Sequence, residues 1–124
     1  MNLTTSYIPA DTSEPILETT IGSSLGEAAK KYPDQPGLVS GEPASTDPHC
    51  WTFAEMLVQV ELVAKALLNR FEPGERIAVW APNIPEWVLL YMGTGMAGLI
   101  LVPLNPAFRK TELEYALKQS RAAG

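Results

Sequence analysis

Residues 76–115 read RIAVWAPNIPEWVLLYMGTGMAGLILVPLNPAFRKTELEY, and this stretch decides the fold. Its first six residues, 76–81, form a short run rich in strand-forming residues that Pro82 ends. Residues 99–102 are apolar without alternation, which is typical of a parallel strand covered on both faces. Helical segments follow each of these strands. The sequence therefore predicts a βαβ unit and, with it, a parallel α/β sheet.

Helix starts are predicted from capping boxes, in which a polar side chain and a glutamate three residues later satisfy each other's backbone N–H groups. Four such pairs occur, and they are Ser24/Glu27, Thr52/Glu55, Asn83/Glu86 and Thr111/Glu114. The clearest helix is 52–71, in which apolar residues recur at steps of three and four. The core is predicted to include Leu57, Val60, Leu67, Val79, Leu99, Leu101 and Leu117.

The N-terminal third of the chain is less regular. Residues 1–21 are rich in Thr, Ser and Pro, so we predict an extended arm over 1–23 and one domain over 24–124. A short strand is predicted at 37–40, and 41–49 is a turn-rich insertion.

Composition excludes several classes of protein. The 124 residues are enough for one domain, and 46% apolar with 19% charged residues is typical of a globular chain. A net charge of −5 argues against nucleic-acid binding, which needs a basic face. Glycines and prolines interrupt the longest apolar stretch, which argues against a membrane span. With no secretory or transit signal at the N-terminus and a single cysteine, Cys50, we expect a cytoplasmic protein.

Four phrases, in order and in register, resemble the start of an AMP-forming acyl-CoA synthetase, a branch of the adenylate-forming ligases. The phrases are WTFAEM at 51–56, PGERIAV at 73–79, APNIPEW at 81–87 and LNPAFRKTEL at 104–113. The likeness covers about residues 24–124. It implies the N-terminal parallel βαβ portion of the large AMP-binding domain of such a ligase, incomplete at its C-terminal end.

The resemblance also implies a reaction. The parent enzyme would activate a carboxylic acid, in this branch a fatty acid, with ATP and magnesium as an acyl-adenylate, and would then transfer the acyl group to CoA. Luciferases and peptide-synthetase adenylation domains share the fold, so the acceptor stays open.

The family's phosphate-binding loop and its other catalytic residues would lie beyond Gly124, so we assign no catalytic or metal-binding residue. We expect the fragment alone to be inactive and to bind no cofactor tightly. Acid, ATP and CoA would engage through the remainder of the enzyme.

Asn105 and Arg109 are the candidate binding residues. They follow a predicted parallel strand, and ligands of open α/β sheets bind at the carboxyl ends of strands. In the resembling family the matching turn lies near CoA, where the Arg109 guanidinium would pair with a phosphate. The competing interpretations are a solvated Arg109 at a helix start and an Asn105 that serves only as a turn residue.

Two further functions stay open. Residues 93–98, GTGMAG, match the dinucleotide fingerprint GxGxxG, which would make the chain a small dinucleotide-binding module. However, a strand signal and Pro103 follow where the fingerprint needs a helix, so close helix packing by small residues is the competing interpretation. The other possibility is an interaction module that packs an open sheet edge on a partner.

The remaining motifs favour structural roles. His49 and Cys50 are too few for a zinc site and are interpreted as loop residues beside Trp51. Trp87 and Tyr91 lie four apart on one helix face, which favours a core position over a base-stacking platform.

Overall fold

The structure is a computed structural model that describes residues 8–13, 15–41 and 49–124. Helices and strands alternate from α2 (Phe53–Leu68) onward, as the sequence predicted for an α/β protein. In chain order they are α1 (Ile21–Lys31), β1 (Pro36–Val39), β2 (Cys50–Thr52), α2 (Phe53–Leu68), β3 (Arg76–Trp80), α3 (Pro85–Met96), β4 (Ile100–Leu104) and α4 (Lys110–Ser120).

Strands β3 and β4 pair in parallel, with Arg76 opposite Ile100 and Trp80 opposite Leu104. Because α3 connects them, the predicted βαβ unit is confirmed. Strand β4 starts one residue later than predicted and continues through Pro103. The Ile100 N–H donates to the Glu75 carbonyl at 2.9 Å. The backbone nitrogens of successive residues in a strand point to opposite edges of that strand. The nitrogen of Pro103 therefore faces away from β3, where no ladder donor is needed.

The other edge of β3 is also occupied. The Ala123 N–H donates to the Arg76 carbonyl, and the Ala78 N–H donates to the Gly124 carbonyl, both at 2.7 Å. Residues 123–124 thus run alongside β3 on the side opposite β4. After β4 the chain returns past β3 through α4. The connection from β3 to β4 and the connection from β4 to residues 123–124 therefore run in opposite directions across the sheet.

The expectation that the second strand is covered on both faces is wrong. On one face of β4 the side chain of Ile100 is 46% exposed, and on the same face of β3 Trp80 is 53% exposed. Helix α4 covers this face only in part, whereas Ile77 and Val79 on the opposite face are buried.

Strands β1 and β2 form a separate antiparallel pair in which Leu38 lies opposite Trp51 and Val39 opposite Cys50. The strand predicted at 37–40 is therefore confirmed as β1. Cys50 lies in a strand and not in a loop, because its backbone completes this pair. Of the predicted 41–49 insertion, residues 42–48 lie outside the described residues.

The core consists of two buried clusters joined by α2. The first comprises Leu25, Met56, Val60 and Leu89, and the second comprises Ala64, Ile77, Ala97 and Leu99. Of the predicted core residues, Val60, Val79 and Leu99 are buried. Leu57, Leu67 and Leu101 are half-buried. Leu117 is 37% exposed, so that prediction is wrong: no residue of α4 is buried.

The capping box predicted at Thr52 is confirmed. The Glu55 N–H donates to the Thr52 hydroxyl at 3.2 Å, and the Thr52 N–H donates to the Glu55 carboxylate at 2.9 Å. The Glu55 carboxylate accepts from the Thr52 backbone N–H and from the Thr52 hydroxyl. The backbone hydrogen bond is the larger cause and the hydroxyl the smaller, and both lower the pKa of Glu55 below its ordinary value.

Two other predicted capping boxes are wrong. Helix α1 begins at Ile21, and its cap is Thr20, whose hydroxyl accepts from the Ser23 N–H at 3.1 Å. Ser24 therefore lies inside the helix. The start of α3 is set by Pro85, which forces an extended conformation on the residue before it. That residue, Ile84, is the cap and has no side-chain hydrogen bond, so Asn83 and Glu86 do not form a box.

The start of the domain predicted at residue 24 stays a prediction. Helix α1 begins inside the predicted 1–23 arm.

Candidate binding turn at the ends of β3 and β4

The candidate site lies where the two parallel strands end side by side. Trp80 is the last residue of β3 and stands opposite Leu104, the last residue of β4. The chain leaves both strands at the same end of the sheet, through 81–84 after β3 and through 105–109 after β4. This is the edge at which open α/β sheets bind ligands.

Asn105 builds the turn that follows β4, hereafter the 105–109 turn. Its side-chain oxygen accepts from the Ala107 N–H, and its backbone carbonyl accepts from the Phe108 N–H, each at 2.9 Å. The same carbonyl also accepts from the Trp80 indole N–H at 3.1 Å. The turn role considered for Asn105 is therefore confirmed, and its side-chain oxygen is already used within the turn.

Arg109 closes the turn and caps α4. Its backbone N–H donates to the Glu112 carboxylate at 2.8 Å, and its carbonyl accepts from the Leu113 N–H at 2.9 Å. The capping box predicted from Thr111 to Glu114 is wrong because Glu112 satisfies the cap two residues earlier. Within the described residues, the Arg109 guanidinium has no ion pair or hydrogen bond and is exposed.

The structure thus brings the two predicted binding residues together at the two ends of one hydrogen-bonded turn. Asn105 fixes the backbone, and Arg109 offers a solvent-facing positive charge. A guanidinium in that position is suited to paired hydrogen bonds with phosphate oxygens. The binding role of both residues stays a prediction.

An apolar groove that sequence analysis did not foresee lies beside the turn. It has a volume of about 670 Å³ and lies between β4 and α4. Its lining includes Val102, Leu104, Phe108, Tyr115 and Ala116. The four-residue spacing of Thr111 and Tyr115, which places both residues on one face of α4, is the sequence signal for this groove.

The glycine cluster at 93–98 allows α3 to pack closely against α2 and then to end. Gly93 lies inside α3, and a Cβ built there would be 2.5 Å from Cγ1 of Val63 on α2. Gly98 has a φ of +71° and ends α3, with the Leu99 N–H donating to the Thr94 carbonyl at 3.0 Å. The interpretation as close helix packing is confirmed. A phosphate loop would need a helix to begin at these glycines, whereas here a helix ends.

The other candidate residues lie away from the turn. The His49 and Trp51 rings meet edge to face, with centroids 4.0 Å apart, and Cys50 is exposed. Trp87 and Tyr91 stack at 5.8 Å, but Tyr91 is 40% exposed, so its predicted core position is wrong.

Among the described residues, no group of three or more His, Cys, Asp or Glu could hold a metal ion. A search of the same residues finds no helix with the length and apolar character to cross a membrane.

Comparison with known proteins agrees with the sequence phrases. A family model described as AMP-binding enzyme matches residues 25–124. The mitochondrial medium-chain acyl-CoA ligase ACSF2 of Danio rerio is 38% identical over 118 residues, which is 94% of this chain and 19% of that protein. The Mus musculus protein of the same name is 35% identical over 96% of this chain and 19% of its own length. This chain therefore spans about a fifth of the curated relatives that it matches.

The fold also matches a solved structure. The N-terminal domain of FACL13 from Mycobacterium tuberculosis superposes with a TM-score of 0.74 at 24% identity. The match covers 85% of this chain and 26% of the FACL13 chain. At that identity the likeness shows the fold alone.

Proposed function

This chain belongs to the AMP-binding enzyme family, and we propose that it is the N-terminal portion of an AMP-forming acyl-CoA ligase. In this proposal the whole enzyme activates a carboxylic acid with ATP and magnesium as an acyl-adenylate and then transfers the acyl group to CoA. The observation that carries the proposal is the family match over 25–124, joined to relatives that are named acyl-CoA ligases.

A fatty acid is the proposed substrate. The support is the name medium-chain acyl-CoA ligase, which several relatives share. A cytoplasmic location also stays a proposal. The same relatives are named mitochondrial, so cell fractionation is the experiment that separates the two locations.

The fragment's own part in the reaction is structural. Residues 25–124 supply a parallel strand pair, three of the four helices in full and the turn after β4. We propose that this chain alone catalyses neither half-reaction, because no residue in it is assigned to binding the ATP phosphates or to proton transfer. In the whole enzyme the Arg109 guanidinium would meet a phosphate of CoA, and Asn105 would hold the turn that presents it.

The test is the gene sequence downstream of the Gly124 codon. An open frame that encodes a Ser/Thr/Gly-rich loop ending in Lys within about a hundred residues, the span of one domain, supports the proposal. A stop codon at that point contradicts it, since the protein would then exist without the residues that hold ATP.

A further inference from the structure

We infer that Trp80 is a positioning residue, whose indole N–H holds the 105–109 turn in place at the end of the sheet. The inference starts from a hydrogen bond that joins residues 25 positions apart in sequence, from Trp80 Nε1 to the Asn105 carbonyl at 3.1 Å. It rests on the proposed function for what the turn is used for, which is the approach of CoA.

Burial does not account for a tryptophan at this position. Trp80 is 53% exposed, although tryptophan is a residue that usually lies mostly buried. Its pairing with Leu104 places the indole directly beside the point where the chain leaves β4. From there the ring reaches over the strand end to the first residue of the turn. Among the described residues, Trp80 is the one tryptophan whose indole N–H donates a hydrogen bond.

The acceptor is the residue on which the whole turn depends. The Asn105 carbonyl also receives the Phe108 N–H, and its side chain receives the Ala107 N–H. A carbonyl oxygen has two lone pairs, so the Trp80 indole and the Phe108 N–H occupy both. Among the described residues, removing the indole donor leaves the turn with its local hydrogen bonds and no hydrogen bond to β3.

The consequence for Arg109 follows from chain geometry. At its far end the turn is fixed by the Arg109 N–H on Glu112, which belongs to α4. No residue of α4 is buried, so this end is held less firmly than the sheet. The hydrogen bond from the Trp80 indole then fixes the position of the turn, and with it that of the Arg109 guanidinium, relative to β3.

The test uses nitrogen-15 relaxation on the whole chain, comparing wild type, Trp80→Phe and the matched control Trp87→Phe. Phenylalanine keeps an aromatic ring and removes the N–H donor. We expect backbone order parameters at Ala107, Phe108 and Arg109 of about 0.85 in wild type and in Trp87→Phe, falling below about 0.6 in Trp80→Phe. Equal order parameters in all three proteins would overturn the inference.

A second measurement needs no variant, so it decides the question even if Trp80→Phe does not fold. In wild type, the Trp80 indole N–H should exchange with water about fivefold more slowly than the Trp87 indole N–H, as one net hydrogen bond allows. Equal exchange rates would overturn the inference. Neither measurement requires ligase activity, so a failure of the proposed function and a failure of this inference are distinguishable.

Discussion

Replacing Gly93 by alanine tests the packing between α2 and α3, on which the position of β4 depends. The new Cβ would lie 2.5 Å from Cγ1 and 2.8 Å from Cβ of Val63, and 3.2 Å from the Val60 carbonyl. Valine is stiff about χ1 in a helix, and the Val60 carbonyl is backbone, so neither contact is relieved by rotating a side chain. The helices must move apart.

The magnitude follows from two opposing effects. Overpacking of this severity costs about 3 kcal/mol. Alanine gains about 1 kcal/mol over glycine inside a helix. The net loss in the free energy of unfolding is about 2 kcal/mol, which lowers the midpoint of urea unfolding by about 1 M.

Gly26→Ala is the matched control. Gly26 also lies within a helix, α1, but a Cβ built there meets nothing within 4 Å. This variant should gain up to about 1 kcal/mol from helix propensity alone. Urea unfolding followed by circular dichroism compares both variants with wild type. If Gly93→Ala is as stable as Gly26→Ala, the close approach of α2 and α3 described above is wrong.

Two other predictions concern the capping box of α2 and the end of α3. Hydrogen bonds from the Thr52 backbone N–H and hydroxyl lower the folded-state pKa of Glu55 from 4.5. The contribution of the Glu55 carboxylate to stability is therefore present above pH 4.5 and is lost as the pH falls through the lowered pKa. Urea midpoints of wild type and Glu55→Gln should therefore differ at about pH 6, and the difference should shrink as the pH falls below 4.5, whereas a constant difference would contradict this role for the carboxylate. Gly98→Ala should lower stability by about 1–2 kcal/mol because a φ of +71° is strained for any residue with a Cβ; an unchanged midpoint would show that α3 does not end as described.

The parallel strands could be predicted from the sequence because their signals are local. An apolar run bounded by Pro82 and another bounded by Asn105–Pro106 have few alternatives to a strand. The box at Thr52 was also predictable, since a long amphipathic pattern follows it. At Asn83 the same local pattern did not predict the helix start. Pro85 forces an extended backbone on Ile84, so the helix begins after Ile84 and Asn83 does not cap it.

The features that were missed depend on contacts between distant parts of the chain. The hydrogen bond from Trp80 to Asn105 spans 25 residues and requires the register of β3 on β4, which sequence patterns do not fix. Leu117 belongs to the predicted core, yet it is 37% exposed because the described residues do not cover that side of α4. For the candidate site, the sequence therefore predicted the turn, but not the groove or the indole beside it, and the binding role of the two residues of the turn stays a prediction.

Acid-dependent exchange of pyrophosphate into ATP tests the central claim most directly. The assay is run on the pure 124-residue chain and on the complete gene product, each with a series of fatty acids. We expect exchange from the complete product with at least one fatty acid and none from the chain alone. Exchange by the chain alone, or its absence from the complete product with every acid, would contradict the assignment of this chain as a structural part of an acyl-CoA ligase.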